Sequence, residues 1–371
     1  MDIEGRSGTS RMNPHLFRAR LGRGGFSARS SEGIRTFYPG YPALVMATGI
    51  VSNAFYFTGQ TGLSGFFFFV NVLALPLLVL ILVIRAIGYT QELLKDMFDP
   101  RQVFSFFTLV AAFDVFGVQL DLRGYWVAAA SLWFAALVLW LLLLYFSFAV
   151  LTFLNTAQDA NVVHGGWLIA IVGTQSLVLL GARVANHLPA AGSEIVVLVH
   201  MLWGIGLALY AIFITLFSYR IFFFKLSPED LSPLLWVVMG AAAISANAGT
   251  SLILNRPQAG FLASTEPFIE GTTMMVWAWG TWWIPLLVLF GIWKHLVCRV
   301  PLTYSPTLWS LVFPLGMYSV ATFRFSLATQ FPFLQSAGRG FAWIAAAAWL
   351  ATTVGLIFSS ASYFRSAAKP L

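Results

Sequence analysis

Charged residues are scarce in this 371-residue chain, where Asp, Glu, Lys and Arg make up 9% of the residues against 59% hydrophobic residues. A soluble protein of this length could not stay dispersed in water with so little charge. Cysteine is limited to Cys298, which excludes an intrachain disulfide and any CxxC metal or redox site. The composition therefore predicts an integral membrane protein.

Motifs of the common catalytic and nucleotide-binding sites are also missing. The sequence has no P-loop pattern, GxSxG, HExxH or CxxC, and its five histidines show no metal-ligand spacing. His164-Gly165-Gly166 is similar to an oxyanion-hole motif, but no nucleophile motif accompanies it. We therefore expect no catalytic residues, no cofactor and no bound metal, and an intramembrane enzyme is the weakest of the alternatives.

Long apolar stretches are abundant from Tyr38 onward. Each is about 18–25 residues long, which is enough to cross a hydrocarbon core of ~30 Å as a helix. Ten such spans are predicted, at residues 38–58, 65–86, 102–120, 124–147, 164–182, 194–219, 232–254, 268–294, 307–329 and 340–363. The short connections predict five antiparallel hairpins in one all-α membrane domain, residues 37–365, with no soluble domain.

The first 36 residues differ in composition from the rest of the chain. They contain seven arginines opposed by three acidic residues, are rich in Gly and Ser, and include no apolar run. This composition is typical of a disordered arm and does not fit a secretory signal peptide. We expect a basic cytoplasmic arm that sets topology near anionic lipid, with an organellar transit peptide as the alternative.

Basic residues in the loops predict the orientation. With the N-terminus inside, sixteen of the 21 Lys and Arg residues lie on the inner side, and the ratio is still nine to five without the arm. This bias follows the positive-inside rule, and the even number of spans places both termini in the cytoplasm. A plasma or inner membrane is the expected location. The net charge of +7 is therefore assigned to topology and lipid, and no nucleic-acid partner is expected.

The spans alternate in character. Odd-numbered spans carry Gly, Ser, Thr, Pro and a few ionisable groups, whereas even-numbered spans are mostly Leu, Phe and Trp. We interpret this as odd helices around a polar path and even helices facing lipid, with tight helix–helix packing as the alternative for any single span. Candidate residues lining the path in spans 1, 5 and 7 are Thr48, Ser52, Thr174, Ser245 and Gly249, and Pro42 is a candidate kink.

Span 9 gives the most specific hypothesis. Pro314 removes a helical hydrogen bond and predicts a kink, next to Gly316 as a further lining candidate. Phe313 and Arg324 are eleven residues apart, close to three turns at ~3.6 residues per turn, so they share a face with Val320 between them. If that face looks into the path, Phe313 plugs it and Arg324 places a positive charge nearer the outside. Core packing of Phe313 and snorkelling of Arg324 are the alternatives.

Asp114 lies within span 3, where a carboxylate costs on the order of 2.5–3.5 kcal/mol near the bilayer centre. At ~1.5 Å per residue it lies ~18 Å from the inner edge and Arg324 lies ~25 Å from it. Three interpretations follow. A structural Asp114–Arg324 ion pair is slightly favoured, a proton-coupling site at Asp114 or His200 is the second, and a free Arg324 that attracts anions is the third.

Three sequence runs carry a family resemblance. Residues 37–52 (FYPGYPALVMATGIVS), 277–286 (WAWGTWWIPL) and 309–316 (WSLVFPLG) resemble segments of the tellurite-resistance/C4-dicarboxylate transporter family. That family includes malate permeases, sulfite exporters and slow-type anion channels, and the ten-span layout agrees over nearly the whole chain after residue 36. The resemblance implies an inner ring of odd helices around a pore, an outer ring of even helices, and a homotrimer with one pore per subunit.

The same resemblance implies a role for one aromatic residue. In the family a phenylalanine of the ninth helix, next to proline, blocks the pore, and the matching position here is Phe313. We therefore expect a membrane channel or transporter for small anions or organic acids, with a pore of few fixed charges gated by Phe313. A proton-coupled carrier for C4-dicarboxylate or sulfite is the alternative.

Overall fold

The computed structural model describes residues 31–154, 164–255 and 260–368, so most of the expected N-terminal arm lies outside the described residues. In these residues, nine long apolar helices and a shorter first one occupy the ten predicted spans. They are α1 (Ala43–Phe57), α2 (Thr61–Gly88), α3 (Phe107–Asp121), α4 (Trp126–Phe153), α5 (Ile169–Val184), α6 (Gly192–Phe223), α7 (Val237–Asn255), α8 (Glu266–Ile292), α9 (Trp309–Thr329) and α10 (Phe333–Ala368). No strand occurs in the described residues.

The odd-numbered helices begin in tighter turns. Four of them follow a 3₁₀ segment, at Val103–Phe106, Gly165–Leu168, Pro233–Trp236 and Pro306–Leu308. The first odd span is shorter than predicted because residues 39–42 form turns and Pro42 occupies the N-cap of α1. Proline lacks a backbone N–H and has a fixed φ, so it fits a helix start. Pro42 thus begins α1, and Pro314 lies inside α9.

Burial separates the helices into two layers. In the apolar windows of α3, α5, α7 and α9, with their 3₁₀ starts, between 72% and 94% of residues are buried, and in the even helices only 22–33% are. The shorter α1 is likewise buried along most of its length. An exposed apolar helix face is expected to contact lipid. The predicted alternation is confirmed at the level of the fold.

The inner layer forms a closed ring. Each odd helix packs against the next, from α1 to α3, α5, α7 and α9, and α9 packs back against α1. Each even helix packs against the odd helix that precedes it in the chain. Because α1 to α10 alternate in direction, the five inner helices run parallel to one another and end on the same side. The fold is therefore five hairpins around a common axis.

Polar contacts join each outer helix to the following inner helix as well. Asn71 of α2 donates to Gln119 of α3 at 2.9 Å. The remaining four contacts are indole N–H bonds: Trp140 to Thr174, Trp203 to the Ser245 carbonyl, Trp277 to Thr322, and Trp349 to Thr48, with lengths of 2.8–3.1 Å. The bond from Trp349 closes the ring, because it ties α10 back to α1.

Candidate functional site

A small cavity of about 20 Å³, enough for about one water molecule, lies on the axis of the inner ring, toward the C-terminal ends of the five inner helices. All five contribute to its lining, which consists of Ile50, Asn53, Phe57, Asp114, Val115, Val118, Ser176, Leu179, Arg183, Asn247, Met317, Val320 and Arg324. Mixed apolar and polar lining with a few charged groups is typical of small-solute sites. Side chains from every inner helix meet in this cavity.

Arg324 enters the cavity from α9. Its Nη1 donates to Asn247 Oδ1 at 2.7 Å and to Ser251 Oγ at 2.8 Å, both on α7. Its guanidinium carbon lies 5.6 Å from the centre of the Phe57 ring. No carboxylate lies within ion-pair distance of it in the part of the chain that the structure describes. The charge is held by neutral hydrogen-bond acceptors and an aromatic face.

The expected Asp114–Arg324 ion pair is therefore not formed. Asp114 lies on α3, is 1% exposed, and accepts a 2.7 Å hydrogen bond from Ser176 of α5 through Oδ2. Its Oδ1 has no hydrogen-bond partner among the described residues. Both groups line one cavity, but Asp114 is hydrogen-bonded to α5 and Arg324 is hydrogen-bonded to α7. The other two interpretations of this group remain open.

A second guanidinium lines the cavity from α5. Arg183 Nε donates to Asp121 Oδ2 at the end of α3, and the same carboxylate contacts His187 Nε2 at 2.8 Å. His187 in turn stacks on Trp126, with ring centres 5.5 Å apart. Arg183 is half-buried, and its contact with Asp121 fixes the direction of the side chain.

Phe313 lies one helical turn below the cavity. It shares a face of α9 with Met317, Val320 and Arg324, at intervals of four, three and four residues, and these three line the cavity. The Phe313 side chain is 1% exposed, so its ring does not face lipid. The next residue, Pro314, packs so closely on α7 that a Cβ added at Gly240 would lie 2.7 Å from its ring.

Six other lining candidates are absent from the lining of this cavity. Thr48 and Thr174 accept indole hydrogen bonds from outer helices. Ser52 donates to the Ser64 carbonyl of α2, and Ser245 Oγ donates within α7. Gly249 approaches Thr273 of α8 and Gly316 approaches Ile50 of α1. Of the nine lining candidates, the structure brings together Asp114, Val320 and Arg324 in the cavity.

Four polar lining residues were missed by sequence reasoning: Asn53, Ser176, Asn247 and Arg183. Asn53 and Asn247 lie inside runs of small and polar residues, where several neighbours are equally polar and the rotation of each helix decides which one faces the axis. Counting positions at 3.6 residues per turn from Arg324 identifies the residues on the same face of α9. The count gives no information about how another helix is rotated about its own axis. Arg183 lacked a distinguishing signal because it lies close to the end of its helix.

The fold and cavity define a membrane protein with five helical hairpins around an axial, partly polar chamber. A model of the voltage-dependent anion channel family, SLAC1, matches residues 36–357. The chain belongs to this family, and the resemblance derived from the sequence motifs is confirmed.

Individual relatives agree with this assignment. An uncharacterized transporter of Methanocaldococcus jannaschii is 24% identical over 342 residues, covering 87% of this chain and 95% of the relative. A second one from that organism is 25% identical over 338 residues, covering 86% and 92%. An uncharacterized membrane protein of Mycobacterium tuberculosis is 44% identical over 138 residues, covering 37% of this chain and 70% of the relative.

Proposed function

We propose that this protein carries small anions or organic acids along the axis of its inner helical ring. The observation that supports this most directly is the axial cavity, to which all five inner helices contribute and in which Arg183 and Arg324 supply the basic groups. Sites with few fixed charges select weakly and leave bound ions free to exit, as conduction requires. Membership of an anion channel family agrees with this function.

Helix direction adds to the electrostatic argument. The five inner helices begin on the side opposite the cavity, so five helix N-termini converge on that mouth of the axis. Each N-terminus carries a partial positive charge of roughly +0.5 from the aligned peptide dipoles. An anion therefore meets positive potential from backbone dipoles at one mouth, and at the other mouth the guanidinium groups offset the partial negative charge of the helix C-termini.

Phe313 is the proposed gate. It lies on the axial face of α9 directly below the cavity, and its neighbour Pro314 interrupts the helical hydrogen bonding at that level. A rotamer change of the ring, or a shift of the helix at the proline, opens the path between the two mouths. Anions then pass between the chamber and the opposite side without a change in the fold.

The gate is tested by Phe313→Ala. We expect anion conductance in planar bilayers or oocytes to rise several-fold, because the substitution removes the ring without adding a charge. Phe325→Ala is the matched control: Phe325 is a buried phenylalanine of the same helix that stacks on Trp277 instead. Equal conductance of wild type and a well-folded Phe313→Ala variant would overturn the gate assignment.

The alternative is a proton-coupled carrier for C4-dicarboxylate or sulfite. Asp114 favours it, because a buried carboxyl with one oxygen that lacks a partner among the described residues lies in the same chamber as the basic groups. Under this mechanism Asp114→Asn abolishes the dependence of liposome uptake on an imposed pH gradient while anion binding persists. If uptake depends neither on the pH gradient nor on the Asp114→Asn substitution, the carrier mechanism is wrong and the channel mechanism is the one that stands.

Assembly and orientation complete the proposal. We infer a homotrimer with one conduit per subunit in the plasma or inner membrane, with both termini in the cytoplasm and lipid around the outer helices. Chemical crosslinking in native membranes followed by mass determination tests the oligomer. Cysteine labelling from either side of the membrane, on a background lacking Cys298, tests the orientation.

A further inference from the structure

A second cavity lies at the opposite end of the bundle from the axial one. It has a volume of about 430 Å³ and is lined by the last turns of α8, the loop that joins α8 to α9, and the starts of α7 and α9. Most of its lining side chains are apolar, and none of them also lines the axial cavity. Its volume is within the range of small-molecule sites, which is about 300–1,000 Å³.

Part of this lining is exposed on the outside of the bundle. Val288 and Ile292 of α8 are both 45% exposed, and Leu302 of the following loop is 80% exposed. On α8 the lining runs from Leu287 to His295, which is ~12 Å at ~1.5 Å per residue. An apolar surface that continues from the outer face of the bundle into a cavity of this length fits a hydrocarbon chain.

Ionisable groups lie at one end of this apolar lining. The turn after α8, Trp293–Val297, is π-helical and contains Lys294 and His295, which both line the cavity. Lys294 Nζ donates to the Leu231 carbonyl at 2.8 Å, and His295 Nδ1 donates to the Val300 carbonyl at 2.8 Å. One side chain is thereby held by the segment before α7 and the other by the loop before α9.

The positive charge at this end is not neutralised by a neighbouring side chain. The Lys294 ammonium has three N–H groups, and one of them binds Leu231. Among the described residues, no carboxylate lies within ion-pair distance of Lys294 or His295. Arg299 of the same loop is exposed and adds a second positive charge. The cavity thus combines an apolar interior with a basic end.

We propose that this cavity binds one anionic phospholipid, with an acyl chain along the apolar lining and the phosphate on Lys294. In the orientation proposed above, the cavity lies in the cytoplasmic leaflet, where basic pockets between helices bind anionic headgroups. The N-terminal arm of this chain has the same sign of charge as the basic end and does not fit the site. The inference is independent of the proposed function, because it involves no transported solute.

Native mass spectrometry of the purified full-length protein in detergent counts bound lipid directly. We expect one phosphatidylglycerol per chain to bind saturably and more tightly than phosphatidylcholine with the same acyl chains, whose choline group brings a compensating positive charge. Lys294→Gln removes the ammonium, so its affinity for phosphatidylglycerol should fall several-fold, to that for phosphatidylcholine. Lys225→Gln is the matched control and should keep the wild-type affinity, because Lys225 is exposed and lies outside the cavity.

Gly291 allows the acyl-chain part of the site to be tested separately. It lines the cavity, and a Cβ added there meets no atom within 4 Å, so Gly291→Phe places a ring in the cavity without displacing the backbone. We expect this variant to lose the saturable binding. Gly271→Phe is the matched control on the same helix, because Gly271 is exposed, equally unhindered and outside the cavity.

Wild-type affinity for phosphatidylglycerol in a folded Lys294→Gln variant, or in Gly291→Phe, would overturn the inference. Glycerol 3-phosphate carries the phosphate without acyl chains and should not displace the lipid at equal concentration. Displacement by it would show a phosphate site and contradict the acyl-chain assignment. A smaller oligomer of Gly291→Phe with unchanged lipid binding would assign the cavity to a second copy of this chain instead.

Discussion

At the scale of single residues, hydrogen-bond partners decide the chemistry of the chamber. Arg324 and Asp114 carry opposite charges in one cavity, yet each binds neutral side chains of another helix. A direct ion pair would neutralise the positive charge that an anion path requires. Holding the guanidinium with Asn247 and Ser251 keeps its charge available to a solute.

Close packing around the proposed gate depends on Gly240. A Cβ at this position would lie 2.7 Å from Pro314 Cγ and 3.0 Å from Pro314 Cβ, and a proline ring cannot rotate away. Gly240→Ala is therefore expected to push α9 away from α7 and to destabilise the protein by about 1–3 kcal/mol, the usual cost of overpacking. Thermal or denaturant unfolding in detergent measures this effect.

Gly204 of α6 is the matched control for this substitution. A Cβ at Gly204 meets nothing within 4 Å, and the residue is exposed on an outer helix. Gly204→Ala should be neutral or stabilising by up to about 1 kcal/mol, from helix propensity alone. If both substitutions leave stability unchanged, the close approach of α7 and Pro314 does not constrain the fold.

At the scale of the elements, His164 fixes the start of α5. The Gly166 N–H donates to His164 Nδ1 at 3.0 Å, and Nε2 lies 2.9 Å from the Arg101 carbonyl, so the neutral ring accepts at one nitrogen and donates at the other. Desolvation lowers the pKa of His164 below its usual value of 6.5. Protonation would remove the acceptor that caps Gly166.

The pH dependence follows from this lowered pKa. Below about pH 6.5 the unfolded chain binds a proton at His164 that the folded protein does not yet bind, so stability falls as pH falls. The loss levels off once pH passes the lower pKa of the folded state. Melting curves between pH 8 and pH 5 should show a steeper decline for the wild type than for His164→Gln. Parallel declines would rule out this contribution.

At the scale of the whole molecule, ring closure depends on contacts between distant parts of the chain. Trp349 is 8% exposed and its indole N–H donates to Thr48 Oγ1, 301 residues away in sequence, at 2.8 Å. Trp349→Phe removes this bond and should cost about 0.5–1.5 kcal/mol from the hydrogen bond, with a further loss from reduced packing. Denaturant unfolding in detergent measures the sum.

Trp343→Phe on the same helix makes the equivalent change in volume at a position that is 56% exposed. It should have a much smaller effect on stability. A Trp349/Thr48 double-mutant cycle separates the hydrogen bond from packing, since the coupling energy between the two residues isolates their direct interaction. A coupling energy near zero would show that this contact does not hold the ring closed.

The sequence alone determined ten helices, their order and the division into inner and outer layers. Each helix carries this information in its own residues, because a segment that faces lipid is apolar and a segment of the inner layer contains small and polar residues. Helical spacing also determined that Phe313, Val320 and Arg324 share a face. The tertiary structure decided how each inner helix is rotated about its own axis. That rotation places Asn53, Asn247 and Arg183 in the chamber and directs Thr48 and Thr174 to tryptophans of the outer helices. The rotation is set by packing against neighbouring helices, so the sequence of a single helix does not determine it.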